Sequence, residues 1–206
     1  MLNLVAGFQL PSRGRISLDG SPITGASADR GVVFQGDDAL FPWLNGKDNV
    51  AFGLKMRGVQ APRRETIVDH YLNLVHLSAH ADKYPGEMSG GMKQRIQIAR
   101  VLANEPKVLL MDEPFGALDA QTRSKLQDDL VEIWMKTRKT IIFITHDIAE
   151  AIMLSDRIVL LSKGPGSRVS HVVDVDLERP RRRGDPRFGQ IWETISELIE
   201  GEEVRA

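Results

Sequence analysis

The sequence predicts an α/β fold, a parallel sheet covered by helices with a helical stretch inserted into it. Three observations predict it. After Pro106, the apolar strand-sized runs "VLLMDE", "TIIFITH" and "RIVLLS" alternate with helix-patterned segments, which reads as parallel βαβ units. Before Pro106 lies a block with helical periodicity, and before that come short alternating strands.

Each element has a local reason. "LNLVAG" reads as the last turns of an apolar helix stopped by Gly7, with no N-cap residue ahead of it. In "GRISLDG", Ile16 and Leu18 alternate with polar neighbours, and Asp19-Gly20 is a turn. "RGVVFQ" is a second short strand, ending at Gln35. From Gly36 to about Pro62 the pattern loosens, with Asp48 expected to cap a helix through Leu54. "RRETIVDHYLNLVHL" places Ile67, Tyr71, Leu74 and Val75 on one helical face and ends in the loop "KYPGE". Ser89 caps a helix with the inward stripe Met92, Ile96, Ala99 and Ala103. Asp119 caps "AQTRSKLQDDLVEIWMKTRK", and Asp147 caps the short helix "DIAEAIML". "RVSHVVDVDL" is one more alternating strand. The last helix has Asp185 as cap, Pro186 first, and the stripe Phe188, Ile191, Trp192, Ile195, Leu198 and Ile199.

Bulk composition narrows the function classes. A chain of 206 residues suits one domain with a possible insertion, and 42% hydrophobic content supplies a core. Lys plus Arg is 27 against 28 for Asp plus Glu, and nothing in that balance argues for a general nucleic-acid binder. The absence of cysteine excludes disulfides, thiolate catalysis and zinc–thiolate sites. The longest apolar runs are strand-sized, and "MLNLVAGFQL" lacks the charged start and cleavage site of a signal peptide, so a cytoplasmic location is expected.

Four features carry chemistry. Four apolar residues deliver Asp112 and Glu113 to a strand's carboxyl end, where α/β sheets bind ligands. An Asp there can hold Mg²⁺ and the adjacent Glu can polarise a water, although a pair of surface acids has the same sequence. Ser89-Gly90-Gly91 lets the backbone approach an anion at a helix N-terminus, with Lys93 and Arg95 nearby, but equally describes a capped loop. Gln35 can contact a metal or water without charge, and His146, at the end of "TIIFIT", can reach a terminal phosphate. Each of these two, taken alone, is an ordinary polar residue at a strand end.

Taken in order, the features say more. Gln35, then S-G-G-x-x-Q (Ser89, Gly90, Gly91, Gln94), then four apolar residues with Asp112-Glu113, then "GALD" ending at Asp119, then His146 form a series that resembles the ABC-transporter ATPase family over nearly the whole chain. The resemblance implies a P-loop NTPase-like core with a parallel sheet and an inserted helical subdomain. It implies the Q-loop at Gln35, the signature at Ser89–Gln94, the Walker B strand with catalytic Glu113, the D-loop at Asp119 and the switch His146. Residues 1–35 and 105–177 would form the core, 36–104 the helical signature subdomain, and 178–206 a C-terminal basic loop and helix.

The cofactors implied are ATP and Mg²⁺. Asp112 and Gln35 would attend the metal, Glu113 the water and His146 the γ-phosphate. Ser89, Gly90, Gly91, Gln94 and Asp119 would act across a head-to-tail homodimer. The family's G-x-x-x-x-G-K-[ST] phosphate loop is absent from the 206 residues, and "MLNLVAG" resembles the helix that follows it. The expectation is an N-terminally truncated form with little or no ATP hydrolysis by itself. An exposed sheet edge next to "VLLMDE" is also expected, and with it aggregation.

An integral membrane permease subunit is expected to dock near Leu40, Phe41, Pro42 and Trp43, unless Phe41 and Trp43 are core residues. A periplasmic or lipoprotein substrate-binding protein would partner the complex indirectly, and no nucleic acid is expected. The chain would then lie peripherally on the cytoplasmic face of the membrane. "LFPWLNGKDNVAFGL", "LSKGPGSRV" and "RPRRRGDPRF" look most like taurine, aliphatic sulfonate and nitrate importer ATPases. The arginine run 181–183 reads as a solvated loop, with lipid headgroups as the other reading. The function implied is the ATP-hydrolysing subunit of a small-anion importer. The alternative is an inactive fragment that only binds the permease or a partner ATPase. A soluble DNA-repair or translation ATPase is disfavoured by the lack of long coiled-coil inserts and tandem cassettes.

Overall fold

The computed structural model describes residues 1–36 and 39–203, so Asp37, Asp38 and the last three residues of the expected C-terminal segment lie outside the described residues. The chain forms two compact units, 1–144 and 145–206.

The first unit contains α1 (Leu2–Ala6), β1 (Ser17–Leu18), β2 (Ser21–Pro22), β3 (Arg30–Val33), α2 (Gly46–Met56), α3 (Ala61–Leu74), α4 (Gly90–Leu102), β4 (Val108–Asp112), α5 (Ala120–Thr137) and β5 (Thr140–Ile144). Gly7 closes α1 in the left-handed conformation at φ 80°, and its N–H bonds back to Asn3 and Leu4. Asp19 and Gly20, both at positive φ, make the two-residue turn between β1 and β2.

The sheet that matters is β3-β4-β5, parallel throughout, with Val33 opposite Met111 and Asp112 opposite Ile144. Val108 and Leu110 point to one face, where Leu2 and Ala6 of α1 cover them. The opposite face meets α4 so closely that a Cβ on Gly31 would lie 2.2 Å from Val101 Cγ1. β4 is therefore the central strand, buried from Val108 to Met111. The sequence-expected exposed edge next to "VLLMDE" is corrected on this point. β3 and β5 flank β4, and the outer edges of this sheet belong to them.

Three local readings also change. The cap of α2 is Asn45, whose side chain accepts the Asp48 N–H at 2.8 Å, so Asp48 is the third helical residue. On α3 the buried positions are Val68, Leu72 and Leu74, followed by Val75, one step round from the expected Ile67–Tyr71 face. The strand at "RGVVFQ" pairs only through Val33, which leaves Phe34 and Gln35 beyond the ladder.

The second unit holds α6 (Ile148–Leu154), β6 (Arg157–Leu161), β7 (Val169–Asp174) and α7 (Pro186–Glu203). The expected run of three parallel strands stops at two, because β6 pairs antiparallel with β7, with Val159 opposite Val172. Ile152, Ile158, Val175, Leu177, Phe188 and Ile195 form its core. Asp185 accepts the Arg187 N–H at 2.9 Å at the start of α7. The arginine run is not uniformly solvated. Arg181 is 8% exposed and donates to the carbonyls of Leu177, Ile152, Ser155 and Val175. Among the described residues no helix is long and apolar enough to cross a membrane.

Candidate active site

The carboxyl end of the central strand builds the site. Asp112, half-buried, is the last residue of β4. Glu113 extends the ladder by one bond, its N–H donating to Ile144 at 3.0 Å, and then turns the chain at φ 41°. Left-handed geometry in a residue with a side chain costs about 1 kcal/mol, and such outliers gather at functional sites. The turn closes with the Gly116 N–H on the Glu113 carbonyl at 3.1 Å. Phe115, fully buried, pins the loop with its ring 5.8 Å from that of Phe143 on β5.

This turn brings two side chains together. A Cβ placed on Gly116 would lie 3.4 Å from Gln35 Nε2 and 3.7 Å from Glu113 Oε2. The Gln35 amide and the Glu113 carboxylate thus flank one point in the turn that follows β4. Glycine at 116 leaves that point open.

Two capped helix starts lie next to each other in the same unit. Ser89 is exposed, and its hydroxyl accepts the Met92 N–H at 3.3 Å. Asp119 accepts the N–H groups of Gln121 and Thr122 at 3.1 and 3.0 Å. Those bonds, the one from Thr122 foremost, hold its carboxyl below the usual carboxylate range. α4 and α5 approach so closely that a Cβ on Gly91 would lie 2.8 Å from Thr122 Cγ2. Arg95, one of the two cations expected near the glycines, is paired with Asp129 of α5 at 2.5 Å. Gln94 faces inward at 3% exposure rather than toward an open surface. His146 is exposed at the start of the second unit, one residue before Asp147, which caps α6 by accepting the Glu150 N–H at 3.0 Å.

Three polar residues carry more structure than their sequence context suggested. Asn49 is fully buried. Its amide accepts the Phe41 N–H at 2.9 Å and donates to the carbonyls of Phe41, Leu44 and Asn45, holding the 41–45 loop on α2. Arg100 donates to the Ala39 carbonyl at 2.8 Å and lies over the Phe41 ring at 5.1 Å. Desolvation lowers its pKa. Gln97 is 1% exposed on α4. The only advance signal for each was a lone polar residue on an otherwise apolar helix face.

The loop and its surroundings form an open apolar groove of about 530 Å³, lined by Val32, Phe34, Phe41, Phe52 and Arg100 among others. Trp43 stands at its loop, 69% exposed, while Leu40 is buried and is removed from the expected surface patch. Phe41 is half-buried, stacked 4.4 Å from Phe52 and 5.5 Å from Trp43.

The ABC transporter family profile matches residues 1–116. The chain belongs to the ABC transporter ATPase family. It is 45% identical over all 206 residues to an uncharacterized ABC transporter ATP-binding protein of Methanocaldococcus jannaschii, and spans 76% of that protein. It is 49% identical over 203 residues, 95% of the chain, to the taurine import ATP-binding protein TauB of Pseudomonas entomophila, spanning 78% of it. It is also 49% identical over 187 residues, 90% of the chain, to the bicarbonate transport ATP-binding protein CmpC of Synechococcus elongatus, of which it spans 28%.

Two solved structures share the fold of this ABC-type ATPase. CbiO1 of Clostridium perfringens, part of the ABC transporter complex cbiONQ, matches with TM-score 0.71 and 33% identity over 76% of this chain and 65% of that one. A dimeric ATP-binding cassette in a post-hydrolysis state, bound to ADP and phosphate, matches with TM-score 0.69 and 29% identity over 86% of this chain and 80% of that one.

Proposed function

We propose that this chain is the ATP-hydrolysing subunit of an ABC importer that energises uptake of a small anion. The observation that carries the reading is the convergence of Gln35 and Glu113 on one point in the turn after Asp112, the last residue of the central parallel strand. Glu113, at its strained turn, polarises the attacking water. Asp112 and Gln35 offer hard oxygen donors that suit Mg²⁺, an ion that is ordinarily held by one or two protein groups together with phosphate oxygens and water. The ion would draw charge from the phosphates.

In a head-to-tail pair of chains, Ser89, Gly90 and Gly91 present a helix N-terminus to the nucleotide of the other copy, and Asp119 braces that interface. Gln94 supports the turn from within. His146 contacts the γ-phosphate. The division into core (1–35 and 105–177), helical subdomain (36–104) and C-terminal segment (178–206) belongs to the same proposal.

The groove beside Phe34 and Phe41, with Trp43 at its loop, is the surface for a membrane permease subunit, which would hold the chain at the cytoplasmic face. A substrate-binding protein would join on the far side of the membrane. The small-anion class, with taurine, sulfonate, nitrate and bicarbonate as members, is supported by TauB and CmpC through their names alone.

The test is Glu113→Gln in the ATP-hydrolysing complex. Turnover should drop by about 100-fold or more with ATP affinity retained, because the water loses its base while the nucleotide contacts stay. Unchanged turnover would overturn the assignment.

A further inference from the structure

Phe34 is the first residue beyond the β3–β4 ladder, whose last pair is Val33 with Met111. What holds its main chain is a side chain. With its amide oriented so that each atom faces a complementary group, Gln97 donates from Nε2 to the Phe34 carbonyl at 3.2 Å and accepts the Phe34 N–H on Oε1 at 3.3 Å. Nε2 also lies against the Gln94 amide, 3.3 Å from its Oε1 and 3.2 Å from its Nε2. Gln97 thereby occupies the place a neighbouring strand would take. The next residue is Gln35, whose Nε2 sits at the Gly116 point beside Glu113 Oε2.

We propose that Gln97 is the positioning residue for Gln35, clamping the preceding peptide to α4. Packing alone does not explain a glutamine here. Ile96, Ala99 and Leu102 fill the same helix's buried face with apolar groups, and a buried amide costs about 1–3 kcal/mol unless its hydrogen bonds are made. Because Gln94 is tied to the same amide, the helix that begins at Ser89 and the segment that ends at Gln35 move as one body. A shift of α4 therefore displaces the Gln35 amide relative to Glu113. The inference rests on the proposed role of Gln35, but the clamp itself is measured without nucleotide. Its failure is therefore separate from a failure of the Glu113→Gln test.

The experiment is amide hydrogen exchange by NMR on the 206-residue chain, comparing Gln97→Leu and Gln97→Glu with the unsubstituted protein. Leu keeps the volume and removes both bonds. Glu keeps the acceptor for the Phe34 N–H. Gln97→Leu should accelerate exchange at Phe34 by about 10-fold or more, while Val32 and Val33 stay within about 2-fold. Gln97→Glu should restore Phe34 to within about 3-fold. Unchanged exchange at Phe34 in the Leu variant would overturn the clamp. So would an equal acceleration throughout β3 and α4, which would mark a packing role. The unsubstituted chain gives an arm that does not depend on how the variants fold. A through-hydrogen-bond scalar coupling between Gln97 Nε2 and the Phe34 carbonyl carbon is expected, and its absence would overturn the proposal.

Discussion

At the residue scale, the polar groups that matter most are those whose partners are main-chain carbonyls. Arg181 illustrates this. In sequence it is the first of three arginines, and such a run reads as solvated because nothing in it marks one member as different. In the fold, four carbonyls converge on its guanidinium, and burial, aided by repulsion from Arg179, lowers its pKa to about 10. A base with a lowered folded pKa binds fewer protons in the native state than in the unfolded state between that value and its ordinary, higher one. Its burden on stability is therefore full at neutral pH and is relieved only as pH rises through that window. The carbonyl bonds offset that burden. Arg181→Met should lower the unfolding free energy by about 2–4 kcal/mol, because carbonyls in the second unit's interior lose their donor. Arg181→Lys should cost less, about 1–2 kcal/mol, because one ammonium cannot reach all four. Urea unfolding followed by circular dichroism measures both. A Met variant as stable as the unsubstituted chain would show that the carbonyls find water instead.

At the element scale, what could be read in advance were the boundaries. Ser89, Asp119 and Asp147 each stand before an apolar-periodic run, and each proves to be a cap with a bonded N–H. Asp48 misled because two capping residues lie three apart. In "NGKD" the true cap is Asn45, and Asp48 takes the third helical position, where a carboxylate also suits the helix dipole. The alternation of "RGVVFQ" fixed a strand but not where pairing stops, since Gln97 takes over from the sheet by a contact 63 positions distant in the chain, which no local pattern encodes. β3 meets α4 closely at Gly31. Gly31→Ala places a methyl group where Val101 Cγ1 lies 2.2 Å and Pro106 Cγ 3.2 Å away. The helix must retreat, so a loss of about 1–3 kcal/mol is expected. A thermal melt measures it, and pairing the change with Val101→Ala should return most of the loss if the clash is its cause.

At the scale of the whole molecule, the series from Gln35 to Asp119 lies in the first unit and His146 in the second, while no G-x-x-x-x-G-K-[ST] loop is among the 206 residues. The order of the series was legible because each member sits at a strand end or helix start, where sequence signals are strong. The burial of Gln94 was not, because it depends on what packs against α4 rather than on any signal in the signature itself. The grip matters energetically. A G-x-x-x-x-G-K-[ST] loop surrounds the phosphates with N–H groups and adds a lysine. Asp112, Glu113 and Gln35 supply no positive charge at all, so a bare triphosphate meets two carboxylates there. The 206-residue chain is therefore expected to bind Mg-ATP with a Kd of about 1 mM or weaker, worth no more than about 4 kcal/mol. The same chain preceded by a segment carrying that loop should bind at least about 100-fold tighter, a gain of nearly 3 kcal/mol. Isothermal titration of both forms decides the matter. Equally tight binding by the 206-residue form would mean that the nucleotide is held elsewhere. A loop-bearing form that binds tightly yet does not turn over would overturn the hydrolytic role assigned to Glu113.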